Sequence, residues 1–306
     1  MKHAFIMGPL EQVKPWKDTT YFLMLAAARR GHRVCCFDQR ALWLEHARPH
    51  ARVAWLEVSE DHDRPFTVLE RGECDLGGMD VVWIRTDPPL DRRYLYTTLL
   101  LDNLPATTRV VNRPAGIRNW NEKLAALHYA EFAPRTLVSN DSDRIREFSR
   151  TVGRVAIKPV DGFGGKGIVF YDATADGDAA LDAATHGGQH WIVAQEYLPA
   201  AQQGDKRILL LNGEPLGAIL RVHAEGVELN NLDAGGVAHP AELAPRDINI
   251  CAALKPGLRE QGLFFTGIDI IGERLIEVNV TSPTGLQELC RFSGEDHHHR
   301  IIAALE

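Results

Sequence analysis

The segment "GIDIIGERLIEVNVTSP" (267–283) places three polar side chains in an otherwise apolar β-hairpin. Two β-branched apolar runs flank a Gly272-Glu273-Arg274 turn, and Asp269, Glu277 and Asn279 interrupt them. A turn centred on Glu273 sets Asp269 opposite Glu277, and Asn279 shares a strand face with Glu277 because side chains two apart point the same way. A buried carboxylate is costly unless it is paired or bound to a metal. The convergent oxygen ligands predict a Mg²⁺ site, and the alternative at this point is a two-faced strand whose polar side meets water.

The composition is that of an ordinary soluble globular protein. The chain has 306 residues, of which 45% are hydrophobic and 25% are charged, so we expect about two domains or one large elaborated domain. A net charge of −7 gives no indication of a nucleic acid or an anionic membrane as partner. No apolar run approaches the roughly 18 residues of a membrane span, and the first apolar run is too short for a signal peptide. We therefore expect a cytoplasmic protein.

The cysteines and histidines do not suggest a structural metal centre. The five cysteines are scattered, odd in number and form no CxxC pair, which favours reduced thiols over a disulfide or zinc framework. The run His297-His298-His299 near the end is interpreted as a solvated helix face rather than a metal patch.

Residues 1–115 alternate between short apolar strands and helices, which predicts a parallel sheet with helices on both faces. The fourth predicted strand (80–87) ends abruptly at Pro88-Pro89 and leaves Arg85 and Asp87 at its C-terminal end. Ligands of open α/β sheets bind at that end, so these two side chains are candidates for substrate binding.

After residue 115 the pattern changes to antiparallel strands joined by short turns, which predicts an α+β region. The stretch "IRNWNEKLAALHYAEF" (117–132) is predicted to be one helix, and the stretch 245–262 another. The boundary near residue 115 is a prediction from this change alone.

A glycine-rich loop follows an apolar strand in "KPVDGFGGKGI". Four glycines fall within residues 162–167, and such a loop lets backbone N–H groups approach a phosphate. It is neither a Walker A loop nor a dinucleotide-binding fingerprint, and the alternative is a flexible hairpin tip. Lys158 lies in line with apolar strand residues, where an ammonium group is costly unless an anion meets it. Lys123, taken alone, is a surface lysine.

Three further segments suit a nucleotide site. In "IVAQEYLPA" (192–200) a strand end offers backbone groups to an adenine edge, with Tyr197 and Leu198 as apolar wall. In "GDKR" (204–207) Asp205 suits a ribose and Arg207 a phosphate, although a charged turn is the plain alternative. In "VNVTSPTG" (278–285) Ser282 and Thr284 suit either a helix cap or a substrate carboxylate.

The order of these features along the chain resembles that of the ATP-grasp fold: first the lysines and the glycine-rich loop, then the "EYL" strand end, and last the hairpin. More narrowly, the chain resembles prokaryotic glutathione synthetases over nearly its whole length. The matching segments are "RTDPPLD", "VNRPAGIRNWNEKL", "KPVDGFGG", "AQEYLPA", "GDKRILLLNGEP", "NLDAGG" and "GLFFTGIDIIGERLIEVNVTSPTG". The resemblance implies an α/β N-terminal parallel-sheet (pre-ATP-grasp) domain over 1–115, an ATP-grasp lid subdomain over 116–200, and a C-terminal ATP-grasp subdomain over 201–306.

The same resemblance implies the site residues, taken position by position. ATP would be bound by Lys123, Lys158, Gly164, Gly165, Gln195, Glu196, Tyr197, Leu198, Asp205 and Arg207, with Arg207, Lys158 and Arg221 as catalytic residues. Arg85, Asn231, Ser282 and Thr284 would contact the substrates. Asp269, Glu277 and Asn279 would hold Mg²⁺, with Mn²⁺ as an alternative.

The implied activity is an ATP-dependent ligase that joins γ-glutamylcysteine to glycine through an acyl phosphate, with ADP and phosphate released. The implied partners are these small molecules and further copies of the chain in a homo-oligomer, with neither nucleic acid nor membrane.

One departure from the family pattern leaves two alternatives open. Leu229 stands where the family carries an arginine that stabilises the reacting acyl group, and Arg221 or His223 is the candidate replacement. Losing one such donor costs about 10²–10³ in rate. The alternatives are therefore a related ligase with a different acid or amine, and a nucleotide-binding regulatory protein without turnover.

Overall fold

A computed structural model of the chain describes residues 1–175, 177, 179–223 and 236–306. Within these ranges the strands form sheets of seven, four and five strands, taken in chain order. The α/β class predicted for the first region and the ATP-grasp arrangement predicted for the rest are both borne out. The boundaries 1–115, 116–200 and 201–306 remain a prediction.

The first sheet has a parallel centre. Its elements, in chain order, are β1 (Lys2–Ile6), α1 (Thr19–Arg29), β2 (Arg33–Phe37), β3 (Leu42–Glu45), β4 (Arg48–Val58), β5 (Phe66–Asp75), β6 (Val81–Ile84), α2 (Arg92–Leu101), β7 (Arg109–Val111) and α3 (Pro114–Asn119). Strands β2, β1, β6 and β7 pair in parallel, as the strand–helix alternation predicts. The carboxylate of Asp18 accepts a hydrogen bond from Tyr21 N at 2.7 Å and so caps α1.

The sheet differs from the expectation at one edge, where β3, β4 and β5 pair antiparallel. The connections between these strands are only a few residues long, whereas a parallel pair needs a crossover of a dozen residues or more. The sheet is therefore mixed.

The second sheet belongs to a small layer with its own core. Its elements are β8 (Thr136–Ser139), α4 (Ser142–Val152), β9 (Val155–Pro159), β10 (Val169–Tyr171), α5 (Ala179–Thr185) and β11 (Ile192–Glu196), with strand order β10-β9-β11-β8, all antiparallel. The apolar cluster beneath this sheet is separate from the two large clusters of the protein. This layer, residues 136–196, is called the lid below.

The third sheet is antiparallel throughout. Its elements are β12 (Asp205–Leu211), β13 (Glu214–Val222), β14 (Val237–Ala241), α6 (Pro245–Glu260), β15 (Phe265–Ile271), β16 (Arg274–Asn279), α7 (Leu286–Ser293) and α8 (His297–Ala303), with strand order β14-β13-β12-β15-β16. The two large apolar clusters each contain residues from this sheet and from the first one. Hydrophobic burial therefore joins these two sheets into one body, on which the lid rests.

Two predictions about the helices are wrong. The stretch 117–132 is not one helix: α3 ends at Asn119, and a 3₁₀ turn begins only at Ala125. Asn121 Oδ1 accepts hydrogen bonds from the backbone N–H groups of Lys123 and Leu124, at 3.0 and 3.1 Å, and this local turn competes with the helix.

The histidine run is not a solvated face. His297 and His298 are buried because α8 packs against α1 and α7, and the ring of His298 stacks on Phe22 at 3.8 Å between centroids. The expectation of free thiols is met, since all five cysteines are unbridged. Within the described part of the chain, every helix is too short or too polar to cross a membrane.

Asn112, at the end of β7, ties the first sheet to the third. Its Nδ2 donates to Phe265 O at 2.8 Å and Val280 O at 2.7 Å, and its Oδ1 accepts from Phe265 N at 2.8 Å. The side chain is buried, so no water replaces these bonds.

We predict that Asn112→Ala lowers the free energy of unfolding by about 2–3 kcal/mol, because it leaves buried backbone groups of the neighbouring strands unsatisfied. Urea unfolding followed by circular dichroism measures this loss. The matched control is Asn103→Ala, an exposed helix-end asparagine, for which we expect a loss below about 1 kcal/mol. Equal midpoints for the two variants would contradict the role given to Asn112.

Candidate active site

A cavity of about 760 Å³ opens between the lid, the third sheet and the C-terminal ends of the parallel strands. Its wall contains these predicted site residues: Arg85, Lys123, Lys158, Gly164, Gly165, Gln195, Glu196, Tyr197, Leu198, Asp205, Arg207, Arg221, Asp269, Glu277, Asn279, Ser282 and Thr284. His223, the other candidate replacement for the family arginine, is not part of the wall. Asn231 and Leu229 lie outside the described residues. Side chains far apart in the sequence are thus brought to one place.

The hairpin of β15 and β16 contains the predicted Asp269–Glu277 pair, but the predicted turn centred on Glu273 is wrong, because Arg274 pairs with Ile271 and leaves a two-residue turn. Asp269 lies directly opposite Glu277, and Asn279 lies opposite Gly267. The register shifts between Asp269 and Ile270, because Ile270 pairs with Leu275 and leaves Ile276 as an extra residue in β16. This β-bulge bends the strand next to the site.

The centre of the site is a cluster of four charges on three adjacent strands, of which Arg207, Arg221 and Asp269 are buried and Asp205 is half-buried. The guanidinium of Arg207 donates from Nε and Nη2 to the two oxygens of Asp269, both at 2.7 Å. Arg221 lies 2.9 Å from the same carboxylate and also donates to both oxygens of Asp205, at 2.6 and 2.8 Å. Bidentate pairs of this kind are the strongest protein ion pairs, and they offset the cost of burial.

These pairs set the charge states of the cluster. Burial alone would raise the pKa of Asp269, but Arg207 and Arg221 outweigh it and hold that pKa below its usual range. Burial would likewise lower the pKa of Arg221, yet Asp269 and Asp205 raise it. For Asp205, burial dominates and its pKa is raised. Asp269 is therefore ionised and Arg221 charged at neutral pH.

The hairpin offers oxygen ligands to a cation. The carboxylates of Asp269 and Glu277 and the amide of Asn279 face the cavity, and Asn279 Nδ2 lies 3.3 Å from Asp269 Oδ2. Across the described ranges, His, Cys, Asp and Glu side chains form no group of three or more suited to a metal ion. The donor set fits Mg²⁺, a hard cation that takes one or two carboxylates and completes its shell with phosphate and water.

The glycine-rich loop and the two lysines meet at the edge of the lid. Gly164 and Gly165 have φ angles of +62° and +75°, a region that favours glycine. Lys123 Nζ donates to Gly162 O and lies 3.5 Å from Glu277 Oε1. Lys158 Nζ donates to Gln195 Oε1 at 2.7 Å. Burial lowers the pKa of Lys158 to about 8 despite the opposing charge of Glu277.

The predicted adenine strand has its side chains fixed by neighbours. The carboxylate of Glu196 accepts from Arg135 N at 2.9 Å and Arg135 Nε at 3.1 Å. Tyr197 packs edge-on against Phe170 at 5.5 Å between centroids. The strand end therefore contributes a fixed wall to the cavity, in which the backbone N–H groups of Glu196 and Tyr197 already donate to Arg135 O and Arg154 O.

The candidate substrate residues line the opposite end of the cavity. Arg85 Nε donates to Thr20 Oγ1 at 3.1 Å, and its Nη2 donates to Pro283 O at 3.0 Å. Ser282 Oγ donates to Asp87 Oδ1 at 2.7 Å. Arg85 therefore holds the 282–284 turn against the first sheet, and its own guanidinium is buried.

Among the cavity residues that the sequence analysis missed are two carboxylates, Glu122 and Glu288. Glu122 Oε1 accepts from Val280 N, Thr281 N and Thr281 Oγ1, at 2.9, 3.1 and 2.8 Å. Burial raises the pKa of Glu122, with a further contribution from Glu277. The only available signal was the position of Glu122 beside Lys123, which the expected continuous helix obscured.

Comparison with known proteins agrees with this geometry. Residues 1–118 match the family model for the N-terminal domain of prokaryotic glutathione synthetase, and residues 122–294 match the model for its ATP-grasp domain. Among solved structures, a D-cycloserine synthetase superposes with a TM-score of 0.69 at 17% identity, covering 100% of this chain and 98% of that one. A RimK domain ATP-grasp protein from Sphaerobacter thermophilus gives 0.65 at 19% identity, covering 99% and 98%. These likenesses show the ATP-grasp fold.

The curated relatives are closer in sequence. A glutathione synthetase from Gloeobacter violaceus is 44% identical over 96% of this chain and 93% of its own length. One from Thermosynechococcus vestitus is 40% identical over 100% of this chain and 99% of its own. With both family models matched in order and the whole length shared with such relatives, the chain belongs to the prokaryotic glutathione synthetase family.

Proposed function

We propose that this chain is an ATP-dependent carboxylate–amine ligase that joins γ-glutamylcysteine to glycine and releases ADP and phosphate. One observation carries the proposal: a single cavity combines lysine and arginine cations for a triphosphate with an oxygen-ligand hairpin. The relatives named glutathione synthetase favour this acid and amine over the alternative substrates.

The lid and the third sheet bind different parts of the nucleotide. Lys123 and Lys158 bind the phosphates, with Gly164 and Gly165 closing over them, and residues 195–198 hold the adenine. Asp205 lies on the ribose side. A related ATP-grasp ligase, PsnB, has been solved with Mg and ADP, which supports ATP and a divalent metal as the cosubstrate and cofactor.

The hairpin of β15 and β16 provides the metal ligands in this proposal. Asp269, Glu277 and Asn279 would hold the cation, and we propose Mg²⁺, with Mn²⁺ as the alternative that the same hard oxygen donors accept. When bound, it offsets negative charge on the phosphate groups.

The acid substrate is activated by phosphorylation. A carboxylate is a poor acylating agent, so its oxygen attacks the γ-phosphorus of ATP, and ADP leaves to give an acyl phosphate. The amine then attacks the acyl carbon, and phosphate leaves with the C–O bonding electrons. Arg207 and Arg221 stabilise the charge on the transferring group, and closure of the loop at 162–167 excludes water that would hydrolyse the intermediate.

Arg85, Asn231, Ser282 and Thr284 contact the substrates in this proposal. We further propose a homo-oligomer located in the cytoplasm, as the family resemblance and the free thiols suggest. The domain boundaries 1–115, 116–200 and 201–306 belong to the same proposal.

The function is tested by ADP release with MgATP, with γ-glutamylcysteine and other γ-glutamyl or dipeptide acids crossed against a panel of amines. We expect ADP formation to require γ-glutamylcysteine and glycine together, with glutathione as the product by mass spectrometry. Turnover with another pair would instead show a repurposed ligase. ADP formation independent of any acceptor would support a nucleotide-binding regulatory role.

We predict that Glu277→Gln lowers kcat/KM by about 100-fold or more at fixed Mg²⁺, since loss of a direct ligand exceeds the 10–100-fold effect of an outer-shell group. A Mg²⁺ titration of the rate measures this loss. Glu273→Gln, the same change in the exposed turn of the hairpin, is the matched control and is expected to behave as wild type. Normal turnover of Glu277→Gln would remove Glu277 from the metal site.

Binding of MgATP is predicted to weaken above pH 8. A phosphate binds the charged form of Lys158, whose pKa burial lowers to about 8. As the pH rises through this value the free protein loses the proton, so binding must take one up again and Kd rises by as much as about tenfold per pH unit.

Titration calorimetry at several pH values, with a non-hydrolysable ATP analogue, measures the slope of log Kd against pH. Lys158→Met is expected to bind weakly at pH 7 with the added pH dependence gone. Lys2→Met, at an exposed position, should retain the wild-type slope. A slope shared by wild type and Lys158→Met would assign the titration to another group.

A further inference from the structure

Glu288, in α7, is a buried carboxylate at the cavity wall that the nucleotide and metal do not require. The residue is 9% exposed, and it lines the cavity. Its Oε2 has no hydrogen-bond partner within the described ranges. A buried carboxylate without a partner is costly, so a cationic ligand that reaches it through the cavity would gain a strong ion pair.

The helix directs this side chain towards the site. Side chains of a helix point towards its N-terminus, and α7 begins directly after Thr284 and Gly285. Thr284 Oγ1 lies 3.4 Å from Arg207 Nη1, which places the start of the helix beside the charge cluster. The Glu288 carboxylate therefore faces the substrate end of the cavity.

The arginines that line the cavity make other contacts, and Lys14 and Lys17, which also line it, are not hydrogen-bond partners of Glu288 Oε2. Arg207 and Arg221 pair with Asp269 and Asp205, and Arg85 donates to Thr20 and to Pro283 O. Arg291, also on α7, lines the same cavity and lies over the ring of Phe292. The cation that completes Glu288 is thus best supplied by a ligand.

We propose that Glu288 binds the α-ammonium group of the acid substrate and so selects acids that carry a free amino group. This inference rests on the proposed function. Helix α7 is fixed to the N-terminal part of the chain, since Gln287 Nε2 donates to Pro15 O and Asp18 O, both at 2.8 Å. The phosphate-binding lysines lie on the other side, at the lid. Helix α7 thus begins beside the charge cluster at Thr284 and is held at Gln287 against residues 15–18 of the first domain. Glu288 lies next to Gln287, so we assign to it the part of the acid that extends beyond the reacting carboxylate towards the first domain.

The amine substrate is the less suitable partner. It must lose a proton before it attacks the acyl phosphate, and a nearby carboxylate stabilises the protonated form. The α-ammonium of a γ-glutamyl group stays charged throughout the reaction, so an ion pair with Glu288 holds the acid without opposing catalysis. Glu288 is a specificity-determining residue in this scheme.

The test compares γ-glutamylcysteine with glutarylcysteine, which differs only in lacking the α-amino group. A hydrogen bond to a charged group contributes about 1.5–3 kcal/mol, and each 1.4 kcal/mol is tenfold. We expect wild type to prefer the amino acid form by about 10- to 100-fold in kcat/KM, mainly through KM. Glu288→Gln should prefer it by less than about threefold, while the control Glu273→Gln keeps the wild-type ratio.

The outcomes separate the two proposals. Absence of turnover by wild type with γ-glutamylcysteine and glycine would refute the proposed function itself. Turnover by wild type with an unchanged preference in Glu288→Gln would overturn the role of Glu288 alone. A rise in the KM for glycine with the acid preference intact would overturn it too, by assigning Glu288 to the amine. If Glu288→Gln does not fold, Glu288→Ala, which also removes the carboxylate, replaces it, and a wild-type preference in that variant counts against the proposal.

Discussion

The ion pair between Arg207 and Asp269 is the interaction on which the rest of the site depends. Both side chains are buried on adjacent strands, directly opposite each other. Either charge alone would be expensive to bury, so each requires the other, and Arg221 and Asp205 extend the pairing to the next strand. Four strands must be in register to bring these charges and Glu277 together. The residues that fix the register of the third sheet therefore also fix the geometry of the site.

The short segment 121–123 connects this rigid sheet to the lid. Asn121 Nδ2 donates to Val160 O at 3.1 Å, and Lys123 Nζ donates to Gly162 O, both in the lid. Glu122, between them, binds the residues that follow β16. The lid has its own apolar core, so these polar contacts, rather than a shared core, relate the glycine-rich loop to the metal hairpin. The hydrogen bonds made by residues 121–123 offset the helical hydrogen bonds that are lost when α3 ends at Asn119.

The sequence was sufficient where a local rule determined the result. Strand alternation placed Glu277 and Asn279 on one face, and the family resemblance located the cavity residues. The Asp269–Glu277 pair was predicted from a turn centred on Glu273, whereas the turn is Gly272-Glu273 and the pair depends on the bulge at Ile276. The sequence was insufficient where contacts between distant parts of the chain determined the local structure. The break after Asn119 combines the local turn at Asn121 with hydrogen bonds to Val160 and Val280, far along the chain. The burial of His298 depends on α1, and the isolation of Glu288 is a property of the assembled cavity. The prediction of a parallel sheet from strand–helix alternation missed the antiparallel edge β3–β5, which follows from the short connections between these strands.

The bulge at Ile276 has a consequence for how this hairpin can change during evolution. The Asp269–Glu277 pair lies on one side of the bulge, and the turn at Gly272 and Glu273 lies on the other. Insertions or deletions in the turn alter only the tip of the hairpin, because β15 is held by its pairing with β12 and the residue that follows β16 is held by Asn112 and Glu122. One residue gained or lost between Leu275 and Asn279 would instead reverse the face on which these ligands project. Length variation among homologues should therefore accumulate at the tip and be excluded from the four positions that follow Leu275.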